Sequence, residues 1–155
     1  MKINKFVHEV IEEICKEKDK SKKVDLLKKY ECSELKQLLG YVYDPRVKFS
    51  WPRTLPVYAP MKEEEVNDAV RDAGWQRLAK TPSGGFPWVY YLTDHGRGNY
   101  KEERLYSMWK SFLELVHPKD AKIFTHMYYK KPFRGLTRKI IEEAYPRLTA
   151  EWPQE

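Results

Sequence analysis

The sequence predicts a mainly α-helical, compact domain. Apolar residues recur at intervals of three and four along most of the 155 residues, which is the spacing of one buried helix face. No Gly/Ser-rich linker, low-complexity tract or fixed internal repeat divides the chain. Because a chain of this length can bury a substantial core, we expect residues 1–155 to form a single domain.

Three helices are predicted before residue 45. The inner face of the first helix carries Ile3, Phe6, Val7, Val10, Ile11 and Ile14. Ser21 and Ser33 are the expected N-caps of the second and third helices. Pro45 is expected to end the third helix, because proline disfavours a helical conformation at the residue before it.

A fourth helix is predicted over residues 62–79, with an acidic first turn. Its inward residues are expected to be Val66, Ala69, Val70 and Ala73. Helical spacing is then lost among Pro, Gly and aromatic residues, and residues 86–98 fit either an irregular loop or a short β-hairpin. Helical spacing returns in residues 105–116, 123–128 and 140–145.

Charge is unevenly distributed along the chain, which has a formal net charge of +6. Residues 1–53 carry +4, residues 54–118 carry −1 and residues 119–155 carry +3. This balance favours a polyanionic partner over a cationic one. If the two basic ends meet in the fold, they form one positive face suited to duplex DNA.

The sequence favours a cytoplasmic protein without a membrane segment. No apolar run approaches the ~20 residues of a membrane span, and the first residues, Met-Lys-Ile-Asn-Lys-Phe, contain no hydrophobic signal core. Cys15 and Cys32 have the spacing of neither a zinc pair nor a disulfide framework. We therefore expect two free thiols and a reducing compartment.

The strongest functional signal is the basic stretch over residues 128–141. Residues 119–141 contain seven Lys or Arg residues and one acidic residue. Gly135 lies just before a predicted helix, whose first N–H groups and dipole favour an anion. The stretch therefore predicts a phosphate-binding site.

Three blocks resemble the N-terminal DNA-binding domain of ATP-dependent DNA ligases, especially phage-encoded ones. The blocks are Lys22 to Tyr30 with Glu34 to Phe49, then Arg134-Gly135-Leu136-Thr137 with Ile140 and Ile141, and last Ala144-Tyr145-Pro146-Arg147-Leu148 leading to Trp152-Pro153. In ligases the last block is a strand-like exit. Residues 62–99 have no counterpart and represent a divergent or inserted segment, and Pro132 interrupts the helix that enters the Arg-x-Gly turn in the family.

The resemblance and the basic stretch together indicate which residues contact DNA. The expected contacts are Lys130, Lys131, Arg134, Gly135, Thr137, Arg138, Lys139, Arg46 and Lys48. Structural roles stay open for most of them: the lysines as solvated surface, Gly135 as a turn glycine and Thr137 as a helix cap. The stems of Arg46 and Lys48 can instead pack over Phe49 and Trp51.

The sequence argues against catalysis and against a cofactor. The ligase adenylation motif Lys-x-Asp-Gly does not occur, and the chain reaches Glu155 about where the nucleotidyltransferase domain would begin. A nuclease or hydrolase using His95 or His126 is a weaker alternative. These residues, Asp94 and His117 lack the spacing of a metal or general-base motif.

Residues 86–100 contain aromatic side chains beside Arg97. Trp88, Tyr90 and Tyr91 are candidates, with Arg97, for stacking on unpaired bases or for contacting a protein partner. A half-buried structural role for these rings is the competing interpretation.

The sequence thus predicts a non-catalytic, phage-encoded DNA-binding protein of replication or repair. It would grip double-stranded DNA through the phosphate backbone, with little sequence preference and strong salt dependence. The ligase resemblance further implies a preference for nicked or distorted duplex. The alternative is an adaptor or inhibitor whose residues 62–99 bind a host or phage replication or repair protein.

Overall fold

Helices dominate the computed structural model, which describes residues 3–80 and 85–153. The described α-helices are α1 (Val7–Lys16), α2 (Lys20–Lys29), α3 (Ser33–Tyr43), α4 (Asp68–Gln76), α5 (Glu102–Glu114), α6 (Pro118–Tyr128), α7 (Arg138–Ala144) and α8 (Pro146–Ala150). Two 3-10 helices, Glu63–Glu65 and Trp88–Leu92, flank α4. Neither described stretch contains a strand, and the prediction of a mainly α protein is confirmed.

The first three helices lie where the apolar spacing predicts them, but their caps differ. The carboxylate of Asp19, rather than the Ser21 hydroxyl, caps α2 by accepting a hydrogen bond from Ser21 N at 2.9 Å. A carboxylate is a stronger acceptor than a neutral hydroxyl, so the helix begins earlier. At α3 the capping acceptor is Cys32 Sγ, and the predicted cap Ser33 is the first helical residue.

The helix predicted over residues 62–79 is divided. Asn67 starts α4 by accepting a hydrogen bond from Val70 N at 3.0 Å, which separates α4 from the 3-10 helix before it. The predicted inward face was wrong at Ala69, which is exposed. Gly74 explains the difference, because a Cβ atom there would lie 2.7 Å from Asp120 Oδ2. The glycine lets α4 approach α6 closely. The buried residues of α4 are therefore Gly74 and Trp75, near its C-terminal end.

The alternative prediction of a β-hairpin near residues 86–98 is wrong. Buried Val89 and Leu92 are three residues apart in the 3-10 helix, which is the repeat of that helix and not of a strand. The carbonyl of Thr93 then accepts hydrogen bonds from Gly96 N and Arg97 N at 3.2 and 2.9 Å. Successive local turns satisfy this backbone without a partner strand. Residues 81–84, which begin the loop expected from the sequence, lie outside the described residues.

The strand-like exit implied by the ligase resemblance is also wrong. Residues Pro146–Ala150 form α8, in which Thr149 N donates to Tyr145 O at 3.2 Å. Pro146 occupies the first turn, where its missing N–H removes no helical hydrogen bond and its fixed φ favours the helix.

The core is centred on aromatic side chains of α5 and α6. Trp109, Phe112 and Phe124 are fully buried, and the rings of Phe112 and Phe124 meet edge to face at 4.8 Å. Buried apolar residues from Ile3 to Trp152 belong to the same cluster. The described α-helices therefore share one hydrophobic core.

The two basic ends of the chain meet where α2 packs against α7. The buried Tyr145 hydroxyl donates a hydrogen bond to Leu27 O. On the surface, Lys20 Nζ lies 3.0 Å from Glu143 Oε1. The expectation that the basic ends come together is confirmed, and the candidate site lies beside this contact.

Candidate nucleic-acid interface

Residues 129–137 connect α6 to α7 and carry most of the predicted DNA contacts; we call them the basic turn. The turn begins as a Schellman motif, with Lys131 N donating to His126 O at 2.9 Å and Lys130 N to Met127 O at 3.1 Å. Lys130 has a φ of 55°, the left-handed conformation that this motif requires. The motif ends α6 before Pro132, so this proline does not interrupt a helix.

The charge of Lys130 is directed at the protein itself. Its Nζ atom donates hydrogen bonds to Tyr41 O at 2.8 Å and to Asp44 O at 2.5 Å, at the C-terminal end of α3. These carbonyls lack helical partners, and a cation there also favours the helix dipole. Lys130 therefore links the basic turn to α3 and is half-buried in doing so.

Tyr43 fixes the second half of the basic turn. Its hydroxyl accepts a hydrogen bond from Phe133 N at 3.0 Å and donates one to Leu136 O at 2.5 Å. Burial raises the pKa of the Tyr43 hydroxyl, so the hydroxyl stays protonated and able to donate well above neutral pH. Phe133 and Leu136 are buried while Arg134 between them is exposed. The core contacts thus present Arg134 to solvent.

Gly135 lies against the end of α1. Its φ is 90°, and a Cβ atom would lie 2.8 Å from Cys15 O. Lys23 Nζ donates a hydrogen bond to Gly135 O at 2.5 Å. Glycine is required here both by the backbone conformation and by the close approach of the two chain ends.

An open groove, which we call the basic groove, lies between the end of α1, the start of α2 and the basic turn. Its lining residues are Glu12, Cys15, Lys16, Glu17, Lys18, Lys23, Arg134 and Gly135. Four of these are cationic and two anionic. Lys16, Lys18 and Arg134 are exposed and form no ion pair with a described residue. The groove therefore combines free cations from both basic ends of the chain.

Cys15 adds no charge to the basic groove. Burial raises the pKa of its thiol to about 11, although the nearby Lys23 cation acts in the opposite direction. The thiol is therefore protonated at neutral pH. Cys15 and Cys32 are both free, as predicted.

The start of α7 provides little for an anion. Thr137 caps the helix by accepting a hydrogen bond from Ile140 N at 3.4 Å, which satisfies one of its free N–H groups. The helix has seven residues, so few peptide dipoles are aligned. The positive potential of the basic turn comes instead from its side-chain charges.

Arg138 differs from its neighbours in the basic stretch. Its guanidinium donates to Pro153 O at 2.8 Å, to Trp152 O at 3.0 Å and to Glu142 Oε1 at 3.3 Å. These contacts fasten the end of the described chain onto α7. Lys131 and Lys139, in contrast, are exposed, and their side chains form no hydrogen bond or ion pair with a described residue.

Arg46 and Lys48 follow α3, on the turn that Lys130 contacts through Asp44. Arg46 Nη2 lies 2.8 Å from Asp44 Oδ2. Burial acts to raise the pKa of Asp44, and the Arg46 hydrogen bonds outweigh it and hold that pKa below its usual range. Lys48 is exposed, and its carbonyl accepts a hydrogen bond from Asp94 N. Arg46 is thus charge-paired, while the Lys48 cation faces solvent.

Trp88 and Arg97 are engaged in different contacts within the structure. The half-buried Trp88 ring packs edge to face on Phe112 at 5.8 Å. Arg97 lies 5.5 Å from the Trp51 ring and donates a hydrogen bond to Tyr100 O at 3.1 Å. The structure does not place Arg97 on the Trp88 ring, so these two residues do not form a joint stacking platform.

The rings of Tyr90 and Tyr91 lie nearer the surface. Tyr90 stacks on Phe86 with the ring centroids 4.1 Å apart. Phe86 is 53% exposed and Tyr91 is 37% exposed. With Tyr100, which is 39% exposed, Phe86 and Tyr91 form the accessible aromatic surface of the segment 86–100.

The histidines singled out in the sequence have separate structural surroundings. His117 caps α6, its Nδ1 accepting a hydrogen bond from Lys119 N at 3.0 Å. The His126 ring stacks on Phe133 at 5.7 Å, and His95 is exposed. Within residues 3–80 and 85–153, no group of three or more His, Cys, Asp or Glu side chains could hold a metal ion.

A buried His–Asp pair was not predicted. His8 Nδ1 lies 2.7 Å from Asp120 Oδ1, which also accepts a hydrogen bond from His8 N at 2.8 Å. The two residues are far apart in the sequence, and no local spacing indicates their contact. The pair joins α1 to α6 beneath Gly74 of α4.

Lys16, Lys18 and Lys23 were not predicted as site residues. The signal was the excess positive charge of residues 1–53. Thirteen cations share that region, and only helix packing decides which of them face Arg134.

Comparisons with protein-family models, curated proteins and solved structures find no match. No helix in the described part of the chain is long and apolar enough to cross a membrane. The site is defined by its own geometry: an exposed groove with an excess of unpaired cations beside a rigid turn.

Proposed function

We propose that this protein is a non-catalytic DNA-binding protein that holds double-stranded DNA by its phosphate backbone at the basic groove. The observation that carries the proposal is the convergence of Lys16, Lys18 and Arg134 on one open groove. None of the three forms an ion pair with a described residue, so each is available to a phosphate. Lys131 and Lys139 extend the same charge along the basic turn and α7.

The chemistry of these side chains favours backbone contacts over base recognition. Lysine acts on phosphate as a point charge and reads no base edge, so we expect little sequence preference. The resemblance to the ligase domain supports duplex over single-stranded DNA and extends the proposal to nicked or distorted duplex. A phage origin, a role in replication or repair and a cytoplasmic location belong to the same proposal.

Fluorescence anisotropy with labelled intact duplex, nicked duplex and single-stranded DNA tests the proposal. Neutralising about four phosphates predicts an affinity loss of about 10²-fold between 50 and 200 mM salt. We expect both duplexes to bind more tightly than the single strand, and the nicked one most tightly. Absence of binding to any form at 50 mM salt would refute the proposal.

A charge-matched pair of variants assigns the binding to the groove. Lys18→Glu/Arg134→Glu should weaken duplex binding by more than about tenfold and reduce the salt slope. Lys62→Glu/Lys101→Glu makes the same change in net charge at exposed residues outside the groove, and should have a much smaller effect. Arg138 is unsuitable for this test because it fastens the end of the chain. Equal losses in both variants would assign binding to net charge rather than to the groove.

A protein-interaction adaptor is the second candidate function. The exposed rings of Phe86 and Tyr91 favour it, because they lie in the segment that has no counterpart in the ligase resemblance. On this alternative, Lys18→Glu/Arg134→Glu leaves the function intact. Phe86→Ser/Tyr91→Ser abolishes binding of a replication or repair protein, as measured by surface plasmon resonance against candidate partners.

A further inference from the structure

Arg77, which directly follows α4, is a buried arginine without an acidic partner. Only 9% of the residue is exposed. Its Nε atom is enclosed and has no hydrogen-bond partner. In contrast, the guanidinium groups of Arg46, Arg71 and Arg138 all donate to carboxylates. Burying an unpaired charge is costly, so this arrangement calls for an explanation.

Two aromatic rings lie close to the Arg77 guanidinium, whose N–H groups have no hydrogen-bond acceptor among the described residues. The guanidinium carbon lies 4.0 Å from the centroid of the Trp88 ring and 5.6 Å from that of Phe112. A cation over the face of an aromatic ring is attracted by the ring's π electrons. The N–H groups point outward in the guanidinium plane, where they need oxygen acceptors. No described residue accepts a hydrogen bond from the Arg77 side chain.

The terminal nitrogens of Arg77 are accessible. Nε is the one guanidinium nitrogen among the fully enclosed, unpartnered atoms of the described chain. Nη1 and Nη2 also have no hydrogen-bond partner among the described residues. Unlike Nε they are not enclosed, so they touch solvent. Burial lowers the pKa of Arg77 to about 10, so the group remains charged at neutral pH. The result is a largely buried cation over the Trp88 ring whose terminal N–H donors reach solvent.

We propose that Arg77 is a binding site for a carboxylate group. A planar guanidinium matches a carboxylate in a two-point hydrogen-bonded pair, and contact with Trp88 restrains the guanidinium before a ligand binds. One guanidinium balances the single charge of a carboxylate. A phosphate carries up to two charges near neutral pH, and its second charge would be uncompensated among Trp88 and Phe112. The site is independent of the basic groove, whose lining does not include Arg77.

Side-chain NMR tests the site directly in the wild-type protein. The Nε–Hε resonance of Arg77, assigned by its loss in Arg77→Lys, should shift saturably when acetate is added at constant ionic strength. Chloride and phosphate should produce smaller shifts. N-acetylaspartate amide tests the same group as an acidic side chain. If N-acetylaspartate amide binds more tightly than acetate, the ligand is an acidic peptide side chain. If the two bind equally well, the ligand is a free organic acid.

Thermal unfolding gives a second measurement. Acetate at about five times its dissociation constant should raise the Tm of the wild type by about 3 °C relative to chloride. Arg77→Lys keeps the charge, loses the fork and should weaken acetate binding at least about tenfold. Lys18→Glu/Arg134→Glu should retain the full acetate effect, which separates this site from DNA binding. An Arg77 resonance that does not respond to acetate, or a larger response to phosphate, would overturn the assignment.

Discussion

The basic turn and the aromatic segment 86–100 both lack α-helix, and both were predicted to bind a partner. They use their cations differently. In the basic turn, cations bind backbone carbonyls: Lys130 contacts Tyr41 O and Asp44 O, and Lys23 contacts Gly135 O. Beside the aromatic segment, cations lie on rings, Arg77 on Trp88 and Arg97 on Trp51.

The difference shows that a basic cluster overstates the charge available to a ligand. A cation within reach of a helix C-terminus or a ring face is already in use by the fold. Of the predicted DNA contacts, Lys130, Arg138 and Arg46 are held in this way or by carboxylates. Arg134, Lys131, Lys139 and Lys48 remain exposed and unpaired among the described residues, and Lys16 and Lys18, which the sequence did not single out, add to them.

Gly96→Ala should have the largest effect on stability, because the aromatic segment has no room for a Cβ atom there. That atom would lie 2.0 Å from the carbonyl oxygen of Tyr90, which is held in the 3-10 helix. We expect the free energy of unfolding to fall by about 3 kcal/mol or more, as measured by urea denaturation. A loss below about 1 kcal/mol would show that the turn after Leu92 adapts freely.

Gly135→Ala makes the equivalent change in the basic turn. The strain of a positive φ and the approach to Cys15 O predict a loss of about 2 kcal/mol in the same measurement. Gly40→Ala is the matched control, because it lies inside α3 with no atom within 4 Å of the added Cβ. It should stabilise the protein by about 0.5–1 kcal/mol. Similar losses in both variants would contradict the role given to Gly135.

Lys130→Met and Arg134→Met separate the structural cation from the free one. Removing the Lys130 amine leaves Tyr41 O without its donor and takes one of two donors from Asp44 O, so we expect a stability loss of about 1–2 kcal/mol with little change in DNA affinity. Arg134→Met should change stability by less than about 0.5 kcal/mol and weaken duplex binding severalfold. Urea denaturation and anisotropy measure the two effects. The reverse outcome would invalidate the distinction between the two cations.

Arg97→Met should have a small effect on stability and none on DNA binding. It removes the contact with the Trp51 ring and the hydrogen bond to Tyr100 O, for an expected loss of about 0.5–1 kcal/mol. Duplex affinity should be unchanged in the anisotropy assay, because Arg97 does not line the basic groove. Weakened DNA binding in this variant would extend the DNA site to the aromatic segment.

Several features of the fold follow from local sequence. The spacing of Val7, Val10 and Ile14 places α1, and the later apolar runs place α5, α6 and α7 to within a few residues. Caps and turns were less predictable, because neighbouring acceptors compete for the same N–H group. Asp19 capped α2 in place of Ser21 for that reason.

By itself, the sequence determined that the chain is mainly helical and that its positive charge lies at its two ends, since helix periodicity and charge are properties of residues near one another in the chain. Only the tertiary structure decided which cations face the basic groove, which ones bind carbonyls or rings, and that Arg77 is buried without an acid. These outcomes depend on contacts between distant segments, such as Gly135 with Cys15 and Gly74 with Asp120. Packing brings those segments together, and no local pattern encodes it.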